Sequence, residues 1–234
     1  MDAPRAPAPD AASASARKPA PAPSASSARP AAALPLLPLS DAYAHVNTLD
    51  ELDALVRACT ACGLAPTRKN TVFSRGKGTS GLCFVGEGPG ADEDEQGEPF
   101  VGKAGQLLDQ MIQAMGLSRD DVYVCNIVKC RPPDNRKPLP EEMAACRPFL
   151  QRQLEILKPE VIVALGATAV TGLIGTTDGI TRIRGKWLLY RGETAVMPTV
   201  HPAYLLRTPS AKRDVWTDLK EVIRHMGRTL PGKA

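Results

Sequence analysis

The chain has no run of about 18 apolar residues, the length a helix needs to cross a bilayer, so no transmembrane helix is expected. No continuous apolar stretch follows the N-terminus, which argues against a secretory signal, although an acid-poor Ala/Pro/Arg-rich start leaves an organelle transit peptide as the minor alternative. Without secretion, the six cysteines are not expected to form a disulfide framework. Aromatic residues are scarce, with 4 Phe, 4 Tyr and 2 Trp, and there are 3 His. Each one beside a polar loop is therefore a candidate for something other than core filling. A phosphate-binding G-K-[ST] is missing. The glycine-rich stretch at Gly86 to Gly90 does not complete G-x-G-x-x-G, because Asp92 and Glu93 follow and no helix is expected to open there. Internal repeats are absent.

What is present divides the chain in two. The first 40 residues hold 14 Ala and 9 Pro, and their only apolar cluster, Leu34 to Leu39, is interrupted by Pro35 and Pro38. Such a segment cannot bury enough apolar surface to offset its ordering entropy, so residues 1–40 are expected to be a disordered leader. Residues 41–234 are long enough to bury roughly 70% of their unfolded surface in one core. The net charge of +4 and the pI near 8.8 permit a nucleic-acid partner without demanding one.

Periodicity outlines the second part. Thr48 and Glu51 form a capping box before the stripe Leu49, Leu52, Leu55, Val56, a helix that delivers Cys59 and Cys62 at its end. Leu82 to Gly86, Val122 to Val128 and Val161 to Leu165 read as buried strands. Helices are expected around Leu107 to Met115, over Glu141 to Leu157, from Gly166, and around Val215 to Met226, with a hairpin or two strands at Trp187 to Tyr190 and Thr194 to Val200. Glu87 to Gly102, rich in Gly, Pro and acid, reads as a loop. Strands alternating with helices predict an α/β domain on a mainly parallel sheet, with ligands at the carboxyl ends of its strands. The loops after Gly86 and Val128 and at His201 fall at such ends.

Three constellations carry chemistry. Cys59, Cys62, Cys130 and Cys146 stand in polar or helix-end contexts, whereas Cys83 and Cys125 sit in apolar runs as small buried hydrophobes. The spacing C-x2-C, then C-x15-C far downstream, suits an iron–sulfur cluster, with structural zinc or unligated thiols as alternatives. Glu87, Phe100 and the buried-strand amide of Asn126 could line a pocket that reads a hydrogen-bonding ligand. His201-Pro202-Ala203-Tyr204-Leu205-Leu206-Arg207 combines imidazole, aromatic, apolar and basic residues in a turn, which suits a wedge entering a duplex. Basic residues flank these loops, among them Lys129, Arg131, Arg136 and Lys137.

Taken in order, GEGPGADEDEQGEPFVGKAGQLLD at Gly86 to Asp109, NIVKCRPPDNRKP at Asn126 to Pro138, ITRIRGKW at Ile180 to Trp187 and MPTVHPAYLLR at Met197 to Arg207 resemble the iron–sulfur uracil-DNA glycosylases, family four, of bacteria and archaea. The resemblance runs from about Leu49 to Met226 and leaves out the leader. It implies an α/β three-layer sandwich around a central, mainly parallel sheet. It implies a monofunctional hydrolase that flips uracil out of DNA and breaks its N-glycosidic bond in base excision repair.

The implied roles go residue by residue. Phe100 lies against the uracil face, Asn126 reads N3–H and O4, Glu93 excludes the thymine methyl, and the Gly88 backbone contacts the base. His201 stabilises charge growing on O2, and Glu87 stands where water is positioned. Leu205 or Leu206 fills the gap left by the flipped base, with Arg207, Lys129 and Arg131 as further DNA contacts. Cys59, Cys62, Cys130 and Cys146 hold a structural 4Fe-4S cluster. Related enzymes that bond covalently to DNA use a His in the loop that here reads Thr181 to Lys186 and has none. The implied partner is uracil-containing DNA, single- or double-stranded, met by a cytoplasmic monomer. A non-catalytic iron–sulfur sensor on DNA and a zinc-bound nucleic-acid adaptor are the competing classes.

Overall fold

A computed structural model describes residue 37 and residues 39–230. The leader expected over residues 1–40 lies outside the described residues at positions 1–36 and 38. The backbone N–H and carbonyl of Ser40 both pair with the Gln151 side chain of the folded body at 3.0 Å.

The elements run α1 (Leu49–Arg57), β1 (Ser74–Arg75), β2 (Leu82–Gly86), α2 (Ala91–Gln96), α3 (Lys103–Ala114), β3 (Tyr123–Asn126), α4 (Pro140–Leu157), β4 (Val161–Leu165), α5 (Ala167–Ile174), α6 (Ile180–Ile183), β5 (Leu188–Tyr190), β6 (Thr194–Thr199), α7 (Pro202–Arg207) and α8 (Lys212–His225). One sheet takes the order β1-β3-β2-β4-β6-β5. The four inner strands are parallel, and antiparallel β1 and β5 close the edges.

Both faces of the inner strands are covered, which is why those strands read as continuous apolar runs rather than alternating ones. Leu82 and Phe84 point to one side, into a core with Leu107, Leu108 and Ile112 of α3 and Leu219, Val222 and Ile223 of α8. Cys83 and Val85 point to the other, against Leu150 and Leu154 of α4 and Val170 and Leu173 of α5. The result is a three-layer α/β fold. A third cluster seats α1 on α4 through Leu52, Val56 and Phe149. The capping box at Thr48 forms as expected: its Oγ1 accepts from Glu51 N, and the Glu51 carboxylate accepts from Thr48 N. Among the described residues, no helix is long and apolar enough to cross a membrane.

The acid-rich stretch after β2 departs from expectation, since a helix, α2, opens directly after Gly90. Its acids favour that placement. Asp92, Glu93 and Asp94 lie in the first turn, where the helix dipole favours negative charge. Asp94 is buried and accepts from the backbone N–H groups of Lys69 and Asn70, so it is no solvated loop residue. The segment His201 to Arg207 is also helical, with His201 as its N-cap.

Candidate active site

The carboxyl ends of β3, β2 and β6, the last separated from β2 by β4, deliver Asn126, Glu87 and His201 to one pocket. Its volume is about 570 Å³, and Gly88, Glu93, Phe100, Tyr204 and Arg207 also line it. The register pairs Gly86 with Asn126. A Cβ on Gly86 would stand 2.4 Å from Asn126 Oδ1 and 2.5 Å from Phe100 Cζ, so glycine is what lets these two side chains approach the strand end.

Each wall is fixed by local chemistry. Phe100 is buried with φ at 57°, a left-handed conformation costly for an aromatic residue. The Glu93 carboxylate holds the adjoining turn. One oxygen accepts from Val101 N and Gly102 N, both at 2.9 Å, and the other from Gly90 N at 3.0 Å. Gly105 completes the arrangement, because a Cβ there would sit 1.7 Å from the Phe100 carbonyl oxygen. Glu93 is thus a rigid wall, with its carboxylate occupied by the backbone. The Phe100 ring stacks on the His201 ring with centroids 5.6 Å apart.

His201 Nδ1 accepts from Ala203 N at 3.2 Å as the cap of α7. Burial, assisted by the Arg207 charge, pushes the His201 pKa down to about 4. The imidazole is therefore neutral at pH 7. With Nδ1 committed as acceptor, the proton sits on Nε2, leaving that nitrogen as a donor. The turn carrying His201 is anchored by the buried Asp218 of α8, which accepts from Thr199 Oγ1 at 2.7 Å and pairs with Arg184.

Asn126 is 1% exposed, and its Oδ1 has no hydrogen-bond partner among the described residues. A buried orphan acceptor carries a desolvation penalty that a ligand N–H would relieve. No hydrogen bond within the described residues engages the Glu87 carboxylate either, although it lines the pocket.

Two expected DNA contacts are corrected. Lys129 is 1% exposed and points inward, so it is no surface cation. Leu205 is also 1% exposed, packed in the core with residues of α3 and α8, because it lies on the face by which α7 packs on α3. Tyr204 and Leu206 are the exposed members, at 41% and 46%. Arg131 donates to Asn135 Oδ1 at 2.8 Å. Arg136 and Lys137, expected to flank these loops, line the pocket, as do Ala104 and Asn135, which were not expected there. Arg136 is committed to a fork on the buried Glu142.

A second cavity brings Cys59, Cys62, Cys130 and Cys146 together, walled by Val56, Ala61, Ala65, Ala145 and Phe149. Three N–H groups point at these sulfurs: Arg68 Nη1 on Cys130 at 3.2 Å, Lys129 N on Cys146 at 3.3 Å and Ala61 N on Cys59 at 3.5 Å. Burial pushes the Cys146 thiol up to about 12 and raises that of Cys130. Thiolate is the ligating form, so a bound cation must compensate what burial costs. Among the described residues, no three Cys, His, Asp or Glu groups converge on the point a single ion would occupy. An all-sulfur set spread around a cavity fits a cluster, which separates its ligands, better than one tetrahedral ion.

Fold and pocket together define a three-layer α/β protein with a pocket of polar, aromatic and basic side chains at its parallel strand ends. The profile of the Uracil DNA glycosylase superfamily matches residues 73–220. The type-4 uracil-DNA glycosylase of Thermotoga maritima is 47% identical over 182 residues, covering 76% of this chain and 95% of that protein. The type-4 enzyme of Archaeoglobus fulgidus is 40% identical over 195 residues, covering 80% and 97%. A type-5 uracil-DNA glycosylase of Pyrobaculum aerophilum matches over 114 residues, half of its length. The chain belongs to the uracil-DNA glycosylase superfamily and, within it, to the type-4 uracil-DNA glycosylases.

Proposed function

We propose that the pocket receives a uracil turned out of DNA and that the protein hydrolyses the bond between uracil N1 and the sugar C1′, leaving an abasic site. The unpartnered Oδ1 of Asn126 carries this reading. In this reading that buried, unpartnered oxygen accepts from uracil N3–H while the amide Nδ2 donates to O4. Cytosine, with an acceptor at N3 and a donor at N4, inverts both contacts and leaves buried groups unpaired. Phe100 supplies the stacking face. Glu93, pinned by three backbone N–H groups, cannot swing away from a C5 methyl.

As the N1–C1′ bond breaks, its electron pair leaves with uracil and negative charge builds on O2. Neutral His201 donates to that oxygen from Nε2, an interaction strongest in the transition state. Water adds to C1′, and Glu87 on the strand-end loop orients it; the released proton passes to that carboxylate or to solvent. Tyr204, Leu206 and Arg207 present the aromatic, apolar and cationic surface that meets the strand from which the base was drawn. Lys137, which lines the pocket, and Arg131 on the same loop add positive charge. Cys59, Cys62, Cys130 and Cys146 would hold a 4Fe-4S cluster. Its chemistry here is structural, a cross-link between the end of α1, the loop after β3 and α4, since hydrolysis transfers no electrons.

Asn126→Asp tests the assignment. The change replaces a donor by an acceptor and sets a charge in a desolvated pocket. Uracil excision falls steeply, and the uracil-to-cytosine rate ratio narrows in matched oligonucleotides. Unchanged rate and selectivity would remove Asn126 from the pocket chemistry.

A further inference from the structure

Lys129 is buried where a DNA contact was expected, and its partners point elsewhere. Its Nζ donates to the Asn126 carbonyl, the last of β3, at 2.8 Å, and its ammonium lies 5.9 Å from the centre of the Phe73 ring. Its backbone N–H donates to Cys146 Sγ at 3.3 Å, and its carbonyl accepts from Val72 N at 2.8 Å. Lys129 lines the four-cysteine cavity and precedes Cys130. One fully buried residue thus touches both the thiol cavity and the residue whose amide faces the uracil pocket. An ammonium is retained in a core only where partners compensate its lost hydration. Here the ammonium has a carbonyl and an aromatic face, and the backbone N–H of the same residue reaches a cavity sulfur.

We propose that Lys129 is a positioning residue that ties the thiol cavity to the uracil-reading amide. Its ammonium fixes the Asn126 backbone, and with it the direction of Oδ1, while its backbone N–H holds the Cys146 sulfur at the thiol cavity. This rests on the glycosylase reading above and gives the cluster a route of influence on the pocket through one side chain.

The test uses the full iron-loaded chain with Lys129→Met, which keeps the stem and removes the ammonium. Inhibition by free uracil, which probes the pocket alone, weakens about tenfold, and single-turnover excision falls by a similar factor, the loss expected for a charge-assisted hydrogen bond. Affinity for uracil-free DNA stays within about twofold, because phosphate contacts are untouched. Iron is lost to a chelator about tenfold faster, followed by the visible absorbance of the cluster. Phe73→Leu keeps the lysine but removes the ring beneath it, and moves uracil inhibition and iron loss in the same directions by about threefold.

A merely structural lysine would lower the melting temperature without changing uracil inhibition of the folded protein. Wild-type uracil inhibition in Lys129→Met overturns the proposal, as does faster iron loss without a change in uracil inhibition. Should Lys129→Met not accumulate folded, unchanged uracil inhibition in Phe73→Leu overturns it. Failure of the glycosylase reading shows separately, as wild-type protein that excises no uracil.

Discussion

Gly86→Ala adds one methyl group at the floor of the pocket, and the structure sets its cost. The new Cβ would lie 2.4 Å from Asn126 Oδ1, 2.5 Å from Phe100 Cζ and 2.8 Å from Phe100 Cε2, where ordinary contact begins near 3.4 Å. The overlap is therefore about 1 Å on both side chains. Neither can yield easily: Asn126 is enclosed, and Phe100 is held in a left-handed turn by Glu93. Overpacking of this kind costs about 1–3 kcal/mol of stability. A misplacement near 1 Å in the ligand-reading groups costs about 10²-fold in rate. Gly86 carries no positive φ, so the effect is steric rather than conformational. Single-turnover excision on a uracil oligonucleotide, with a urea melt to separate stability, measures both quantities. Gly179→Ala is the control, because a Cβ there meets nothing within 4 Å. Wild-type excision by Gly86→Ala would show that Asn126 and Phe100 do not set the pocket.

Further outcomes follow from side-chain placement. His201→Ala removes a donor to charge that develops in the transition state, so excision falls about 10²- to 10³-fold while binding of an uncleavable uracil analogue barely changes. The wild-type rate shows no inflection from this residue near pH 6.5, since its folded pKa is about 4. Between those values the unfolded chain binds the proton and the folded chain does not, so stability falls as pH drops from 6.5 towards 4, and melts of His201→Asn show a shallower decline. Leu205→Ala destabilises the fold by about 2–5 kcal/mol in urea, whereas Leu206→Ala leaves stability within about 0.5 kcal/mol and slows excision from duplex DNA.

The strands were legible because burial on both faces leaves unbroken runs such as Leu82 to Val85 and Val161 to Leu165. The strand-end rule then located the pocket before any side chain was placed. What escaped depended on direction in space. Leu205 and Leu206 are chemically alike, and only the seat of α7 on α3 sends one inward. Lys129 carries the same charge as its exposed neighbours, yet the turn after β3 aims it at the Asn126 carbonyl. The acids after Gly90 read as a loop because the partners of Asp94, the backbone N–H groups of Lys69 and Asn70, lie some two dozen residues away, and those of Glu93, Val101 N and Gly102 N, are reached only once the chain turns back on itself. Two-residue β1 is too short to leave a pattern.

The central claim is that this pocket excises uracil and rejects its two closest relatives. Single-turnover cleavage of matched oligonucleotides carrying uracil, cytosine or thymine at one position, by purified wild-type protein, tests it most directly. The account predicts release of uracil with an abasic site left behind, and release of cytosine or thymine slower by at least about 10⁴-fold. Intact uracil strands after incubation with folded protein, or release of cytosine at a comparable rate, would contradict it.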